Sequence, residues 1–414
     1  MGQSVSLIGS WMGQVAASWL IYRTTGSPWL LGLVGFAGQF PAFFLAPLAG
    51  VWIDRWDRLR ILKLTQFVSM IQSFAMAVMV FTNHTTVLNI LLLTTVQGIV
   101  NAFDMPARQT FVVDMVKGRE DLANAIALNS SMVNGSRLIG PSIAGIIIGL
   151  AGEGYCFLID GVSYLAVICS LYFMLIDRRT TRPVRKNVWS ELKAGWKYVS
   201  EFTPIRAILL LLVAISLFGV PYSVLMPIFA SNVLHGGPDT LGFLTAASGL
   251  GAFISALSLA MRKTIVGLGK MMAITAFSFG GALIAFSLSN SLWLSLPLLL
   301  VSGFSMMQVM SASNTIMQTI VDEDKRGRVM SFYTMAIIGM MPFGSLIAGA
   351  MANRFGAPHT VLAGGCLCLL VAVWFSMRLE EIRQVVRPIY IELGILPEVA
   401  AGIDAASALQ TPPE

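Results

Sequence analysis

Stretches of about twenty apolar residues without a charge recur along the whole chain, and no other feature limits the fold so strongly. A helix needs a run of that length to cross a bilayer core about 30 Å thick. Hydrophobic residues make up 56% of the 414, and charged ones only 12%, against about 25% in an average soluble protein. So few charges could not cover the surface of a water-soluble fold of this size. The sequence therefore predicts an all-α, polytopic membrane protein.

Charge breaks and Gly/Pro punctuation divide the chain into twelve spans. They run over 3–22, 29–53, 61–81, 87–107, 122–150, 154–176, 206–230, 239–261, 270–288, 292–318, 328–352 and 358–378. The first span lacks a basic leader and a small-residue cleavage site, which predicts a retained helix rather than a signal peptide. The very short stretch before it suggests a shortened start. All Lys and Arg residues except Arg23, Arg137 and Arg354 fall in or beside alternate loops and the C-terminal tail. The positive-inside rule then puts both termini in the cytoplasm and makes the net charge of +6 a matter of orientation, not nucleic-acid binding.

The longest polar stretch, 177–205, separates six spans from six. Within it Trp189, Leu192, Trp196 and Val199 recur at helical spacing beside Lys193 and Lys197, which predicts an amphipathic helix on the cytoplasmic membrane surface. The expected units are an N-terminal bundle (1–176), this linker (177–205), a C-terminal bundle (206–378) and a cytoplasmic tail (379–414). The halves share landmarks. QTFV at 109–112 precedes a charged loop and then GPSIAG at 140–145, while QTIV at 318–321 precedes a charged loop and then GSLIAG at 344–349. Two matches at nearly one offset indicate duplicated six-helix units, and two related bundles with a site between them follow the logic of a secondary transporter.

Charge is concentrated in GVWIDRWDRLR, residues 50–60, whereas the nearby GQFPAFFLAPL has none. Gly50, Asp54, Arg55, Arg58 and Arg60 resemble the G-x-L-x-D-R-x-G-R-R-R signature of the major facilitator superfamily, with Trp52, Asp57 and Leu59 as departures. WLIYRTTGSPWLLG, FDMPARQTFVVDMV, NGSRLIGPSIAG, DKRGRVMSFY and RPIYIELGILPEV extend the resemblance to the subgroup holding the enterobactin exporter and macrolide efflux proteins. The resemblance implies the major facilitator fold, twelve helices in two pseudo-symmetric six-helix bundles. It implies a bacterial inner-membrane exporter of a siderophore-, drug- or macrolide-like molecule. It also implies that Asp54 caps the cytoplasmic end of the eleventh span, expected near Val329, while the basic residues hold the bundles together. A carboxylate at a helix N-terminus is worth about 0.3–1 kcal/mol, enough to bias a near-balanced equilibrium. The basic residues alone also suit a topology signal; only a gate requires Asp54.

On the fifth span Gly135, Gly140, Pro141 and Gly145 resemble the Gly-Pro signature of antiporters, with Ala144 in place of one glycine. They allow either rocking against the eighth span or simple close packing. Arg137 lies deep in this span, sharing a face with Ser130 and Asn134. Asp160 on the sixth span is the other deeply placed ionisable group, so the two form either a structural lock or a substrate or proton site. The fourth span carries a polar stripe of Thr94, Gln97, Asn101, Asp104 and Arg108, and the tenth carries Gln308, Ser311, Asn314 and Gln318. Such stripes line a central cavity or bond helices together. Thr94 stands where many superfamily members have an Arg tied to proton coupling, so Arg137, Asp160 and Asp104 are the coupling candidates. Met306, Met307, Met310, Met317, Met335, Met340 and Met341 serve either adaptable binding or ordinary packing.

Enzyme chemistry has no foothold. His84, His235 and His359 fall near loops without a metal-ligand spacing, and no Walker lysine follows a Gly-rich loop. Cys156, Cys169, Cys366 and Cys368 lie within apolar spans and suggest neither disulfides nor zinc. The expectation is a monomeric secondary transporter of a small molecule, without cofactor or metal, embedded in lipid and driven by protons. A lysophospholipid or amphiphile flippase on the same fold is the alternative.

Overall fold

The computed structural model describes residues 2–55, 57–114, 119–173, 188–262 and 264–395. It describes their side chains except those of 46–55, 112–114, 119–124, 126, 127, 188–194 and 324. Among these residues the secondary structure is entirely helical. The elements are α1 (Gly2–Thr25), α2 (Pro28–Arg55), α3 (Arg58–Phe81), α4 (Val87–Asp114), α5 (Arg119–Ala151), α6 (Glu153–Phe173) and α7 (Val188–Glu201). Next comes α8, built from Thr203–Ala214, a π turn at Ile215–Gly219, a 3-10 turn at Val220–Ser223, Met226–Ile228 and a second π turn at Phe229–Val233. Then follow α9 (Pro238–Ala260), α10 (Leu268–Ser287) and α11 (Leu292–Ile320). α12 joins Glu323–Thr334, a π turn at Met335–Gly339 and Met341–Phe355; α13 (Ala357–Met377) and α14 (Leu379–Glu392) complete the chain.

Eleven of the described helices are long and apolar enough to cross a membrane. α1 has the length but is more polar, and its Ser6, Gly9, Gly13 and Ala16 are buried, so packing against α5 and α6 replaces apolarity. The helices overrun the apolar spans at several ends because backbone hydrogen bonding does not stop where charge begins. The clearest case is α12, expected from 328 and in fact helical from Glu323, with the charged run at 323–328 forming its opening turns. α8 and α12 are the irregular helices. Pro221 and Pro227 remove backbone donors in α8, and Pro342 does so just after the π turn of α12.

α1 packs on α5 and α6, α3 on α6, and α2 on α4; in the second half α11 packs on α9 and α10, and α10 on α13. The halves meet along α5 with α9 and α2 with α12. α7 and α14 sit at one end of the bundle, here called the α7 end. α7 packs on α12, where Trp196 and Phe332 have ring centroids 5.9 Å apart and Val199 is buried. The side chains of Trp189 and Leu192 lie outside the described residues. The stretch 379–392, expected as tail, is an amphipathic helix that buries Ile382 and Val386. Large exposed apolar side chains such as Leu150, Phe173, Trp293 and Leu370 cover the outside, as a lipid-facing surface requires.

Candidate functional site

The far end of the molecule, away from α7, is closed by two equivalent helix crossings. Gly145 of α5 meets Gly242 of α9 so tightly that a Cβ on Gly145 would lie 2.7 Å from Pro238 O and 3.0 Å from Gly242 Cα. Gly349 of α12 meets Gly32 of α2 in the same way, with its Cβ position 2.9 Å from Pro28 O and 2.7 Å from Gly32 Cα. Gly145 and Gly349 end the two copies of the repeated segment. Their partners lie in a second, shorter repeat, PWLLG at 28–32 and PDTLG at 238–242.

The fifth-span motif divides between two neighbours. Gly145 and the Pro141 carbonyl face α9, whereas Gly140 sits against Trp11 and the Ile8 carbonyl of α1, and Gly135 meets nothing within 4 Å. At the α7 end the helices present polar faces. On α4, Leu88, Leu92, Val96 and Ile99 form one exposed apolar face, while Asn101, Met105 and Gln109 are exposed on the opposite side with half-buried Gln97. At about 100° per residue these faces point in opposite directions, so the first meets lipid and the second an interior space. On α11, Met307, Ser311, Asn314 and Gln318 make the corresponding face, and Gln318 Nε2 donates to Asn314 Oδ1.

Gln308 does not join that face. It lies about 120° round the helix from Asn314 and is buried, accepting from Ser255 Oγ at 2.8 Å and donating to Ser258 Oγ at 3.4 Å. Its expected place in the cavity stripe is corrected accordingly, because the longer amide satisfies hydroxyls of α9. Arg137 also departs from expectation. Its guanidinium lies over the Trp11 ring, 5.7 Å from the centroid, and among the described residues no ion pair joins it to Asp160. The Arg137–Asp160 lock is therefore absent. Asn134 is buried and donates to Ser130 O at 2.9 Å.

Asp104 is fully engaged. Arg108 reaches its Oδ2 at 2.7 and 3.1 Å, and Thr65 Oγ1 and Gln66 Nε2 each reach Oδ1 at 2.8 Å. Gln97 Nε2 donates to Ser69 Oγ at 3.2 Å and Asn101 Oδ1 at 3.1 Å. Asp160 takes a 2.6 Å hydrogen bond from Ser73 Oγ on Oδ2, while its buried Oδ1 has no partner. The row Thr65, Ser69, Ser73 on α3, not among the sequence candidates, is marked in the sequence by its four-residue spacing.

In the charged loop, Gly50 lies within α2, which ends at Arg55, and the side chains of Asp54 and Arg55 lie outside the described residues. Arg58 and Arg60 occupy the first turn of α3, and Arg60 Nε lies 3.8 Å from Asp57 Oδ2. Asp57, one of the departures from the signature, is the N-cap of α3 and accepts from Leu59 N at 3.0 Å. Val329, expected at the helix start, is instead fully buried in the second turn of α12. A carboxylate near Val329 would thus meet the side of a helix rather than its free N–H groups.

Residues 1–387 match the family of transmembrane secretion effectors. The chain belongs to that family, within the major facilitator superfamily. It is 25% identical to the staphyloferrin A transporter of Staphylococcus aureus over 382 residues, covering 90% of this chain and 95% of that one. It is 22% identical to macrolide efflux protein A of Streptococcus pyogenes over 391 residues, covering 92% and 95%. Among solved structures, a bacterial homologue of the lysosomal transporter Spinster, inward-facing and unoccupied, superposes with a TM-score of 0.68 at 16% identity over 92% of this chain and 95% of that one. The nucleoside transporter NupG gives a TM-score of 0.66 at 14% identity over 91% and 96%. This transporter is thus a multi-pass membrane protein with the major facilitator fold, carrying small molecules; its relatives are transporters, not enzymes.

Proposed function

We infer that the transporter exports a siderophore-, drug- or macrolide-like molecule across the bacterial inner membrane by alternating access, driven by protons and working as a monomer. The reading places both termini and the α7 end in the cytoplasm, with residues 1–176 and 206–378 as the moving units. One observation carries it: the glycine crossings close the far end while polar faces of α4 and α11 stand open at the α7 end. Relatives named as a siderophore transporter, a multidrug efflux pump and a macrolide efflux protein support the substrate class. Gln97, Asn101 and Asn314 are the substrate-contact candidates, and Arg137, Asp160 and Asp104 the coupling candidates. Asp54 with Arg55, Arg58 and Arg60 is the candidate gate at the cytoplasmic side.

Everted membrane vesicles from a host lacking its own exporters test this reading. Respiration should drive accumulation of erythromycin or ethidium, and a protonophore should abolish it. Accumulation that survives the protonophore would sink the coupling, and transport of labelled lysophospholipid alone would turn the reading toward a flippase.

A further inference from the structure

A continuous polar seam runs through the interior of the first half. On α3 the buried hydroxyls of Thr65, Ser69 and Ser73 follow one another at four-residue steps. At 1.5 Å per residue the row is about 12 Å long. Each hydroxyl has a partner on another helix: Thr65 meets Asp104, Ser69 meets Gln97, and Ser73 meets Asp160. Tyr164, one turn beyond Asp160 on α6, shares a 3.0 Å hydrogen bond with Ser10 of α1 and lies beside Ser69. The seam therefore has a carboxyl at each end, Asp104 toward the α7 end and Asp160 toward the far end.

The two carboxyls differ in what surrounds them. Asp104 has the Arg108 guanidinium and two further donors, a complete set for an ionised group. Asp160, 5% exposed, has Ser73, with the Ser10 hydroxyl close by, and pairs with no cation among the described residues. α1 offers Gly9, Ser10 and Gly13, α3 offers Ser73, and its own helix offers Ser163, Tyr164 and, further off, Cys156 and Glu153. Arg137 of α5, the cation the sequence paired with Asp160, is turned to Trp11. Among the described residues, three of the five buried side-chain oxygens without a hydrogen-bond partner, Gln66 Oε1, Gln97 Oε1 and Asp160 Oδ1, belong to this seam, the other two being Ser302 and Ser305 Oγ on α11. A buried carboxylate without a cation is far costlier than the neutral acid.

α1 rides directly on this group. A Cβ at Gly9 would lie 2.9 Å from Asp160 Oδ1 and 2.7 Å from Ser163 Oγ, and one at Gly13 would lie 3.2 Å from Asp160 Oδ2. A change of charge on Asp160 is felt first by the backbone of α1. Ionisation would draw water or a donor toward Oδ1, and the space for one opens only if α1 lifts.

Resting on the proton-coupled reading above, we propose that Asp160 is the proton-carrying residue of this transporter. Asp104, held by Arg108, stands at the other end of the α3 seam, and α1 is the element that responds. Binding forms an O–H bond at Asp160 Oδ1, and release breaks it and returns the proton to water when α1 moves off the carboxyl.

Infrared difference spectroscopy on the purified full-length protein, between acid and alkaline pH, reads this without any substrate. The carbonyl stretch of a buried carboxylic acid should appear, vanish in Asp160→Asn, and persist in Asp104→Asn. Ser73→Ala should keep the band and shift its frequency, since the hydrogen bond to Oδ2 is lost; it also serves if Asp160→Asn does not fold. No such band at any pH in the wild type, or a band that survives in Asp160→Asn, would overturn the proposal. So would its loss in Asp104→Asn. In everted vesicles Asp160→Asn should lose gradient-driven accumulation of the probe while still letting it equilibrate downhill. If the wild type shows the band but no proton-driven accumulation, it is the exporter reading that fails.

Discussion

Gly145 and Gly242 touch backbone to backbone at the far end of the α5–α9 crossing, and Gly349 and Gly32 repeat the contact between α12 and α2. Exchanging the two halves turns the first pair of helices into the second, so one local solution is used twice. In each crossing a proline carbonyl four residues before the partner glycine faces the glycine of the repeated segment. Glycine is required here by proximity, because a single methyl group on either partner would fall within 3 Å of backbone.

Adding that methyl should open the far end. Gly145→Ala or Gly349→Ala forces the helices apart at a cost of about 1–3 kcal/mol, which shifts the equilibrium away from the closed far end by roughly 5–150-fold. Spin labels at Asn83 and Asn290, in far-end loops of the two halves, should report a longer distance in a cysteine-free background. Gly135→Ala, which meets open space, should leave the distance unchanged.

The helical spans and the repeated GPSIAG and GSLIAG segments were readable because apolar run length and repetition encode them directly. Partner choice was not. Arg137 and Asp160 are the two deep ionisable groups of the sequence, yet Arg137 settles on Trp11 and Asp160 on Ser73, since side-chain reach and helix rotation decide pairing. Gln308 shared a three-residue step with Ser311 but turns toward the hydroxyls of α9. The helix at 379–392 was hidden by its charges, which sit on one face while Ile382 and Val386 bury the other.

Arg23, an exception to the positive-inside pattern, is held by buried Glu153 through contacts of 2.7 and 3.2 Å. Arg23→Ala leaves a buried carboxylate without its donors and should lower stability by about 1–3 kcal/mol. The double substitution Arg23→Ala with Glu153→Gln should recover part of that loss. Thermal unfolding in detergent measures both, and an Arg23→Ala variant as stable as the wild type would show that the pair contributes nothing.

Asp57 stands where the superfamily signature has its second glycine, and its cap explains how the exchange is accommodated. Asp57→Ala removes the hydrogen bond to Leu59 N and should cost about 0.5–2 kcal/mol, whereas Asp57→Gly should cost only a few tenths. Transport should follow the same order, with Asp57→Gly close to the wild type. Equal loss in both would assign the aspartate a charge role at the gate rather than a capping one.

Asn314 and Gln308 provide a test of which polar side chains meet the cargo. Both lie on α11, but Asn314 stands half-buried on the face shared with Met307 and Gln318, and Gln308 is buried against Ser255 and Ser258. Asn314→Ala removes an amide from the open face without unsatisfying a buried partner, so folding should be kept and the relative rates for erythromycin and ethidium should change. Gln308→Ala leaves the Ser255 hydroxyl without its acceptor and should lower the unfolding temperature through a loss of about 1–3 kcal/mol. The ratio of the two transport rates should then stay as in the wild type. If Gln308→Ala alters that ratio while Asn314→Ala does not, the binding face lies on the α9 side of the helix and the interior assigned to α4 and α11 is wrong.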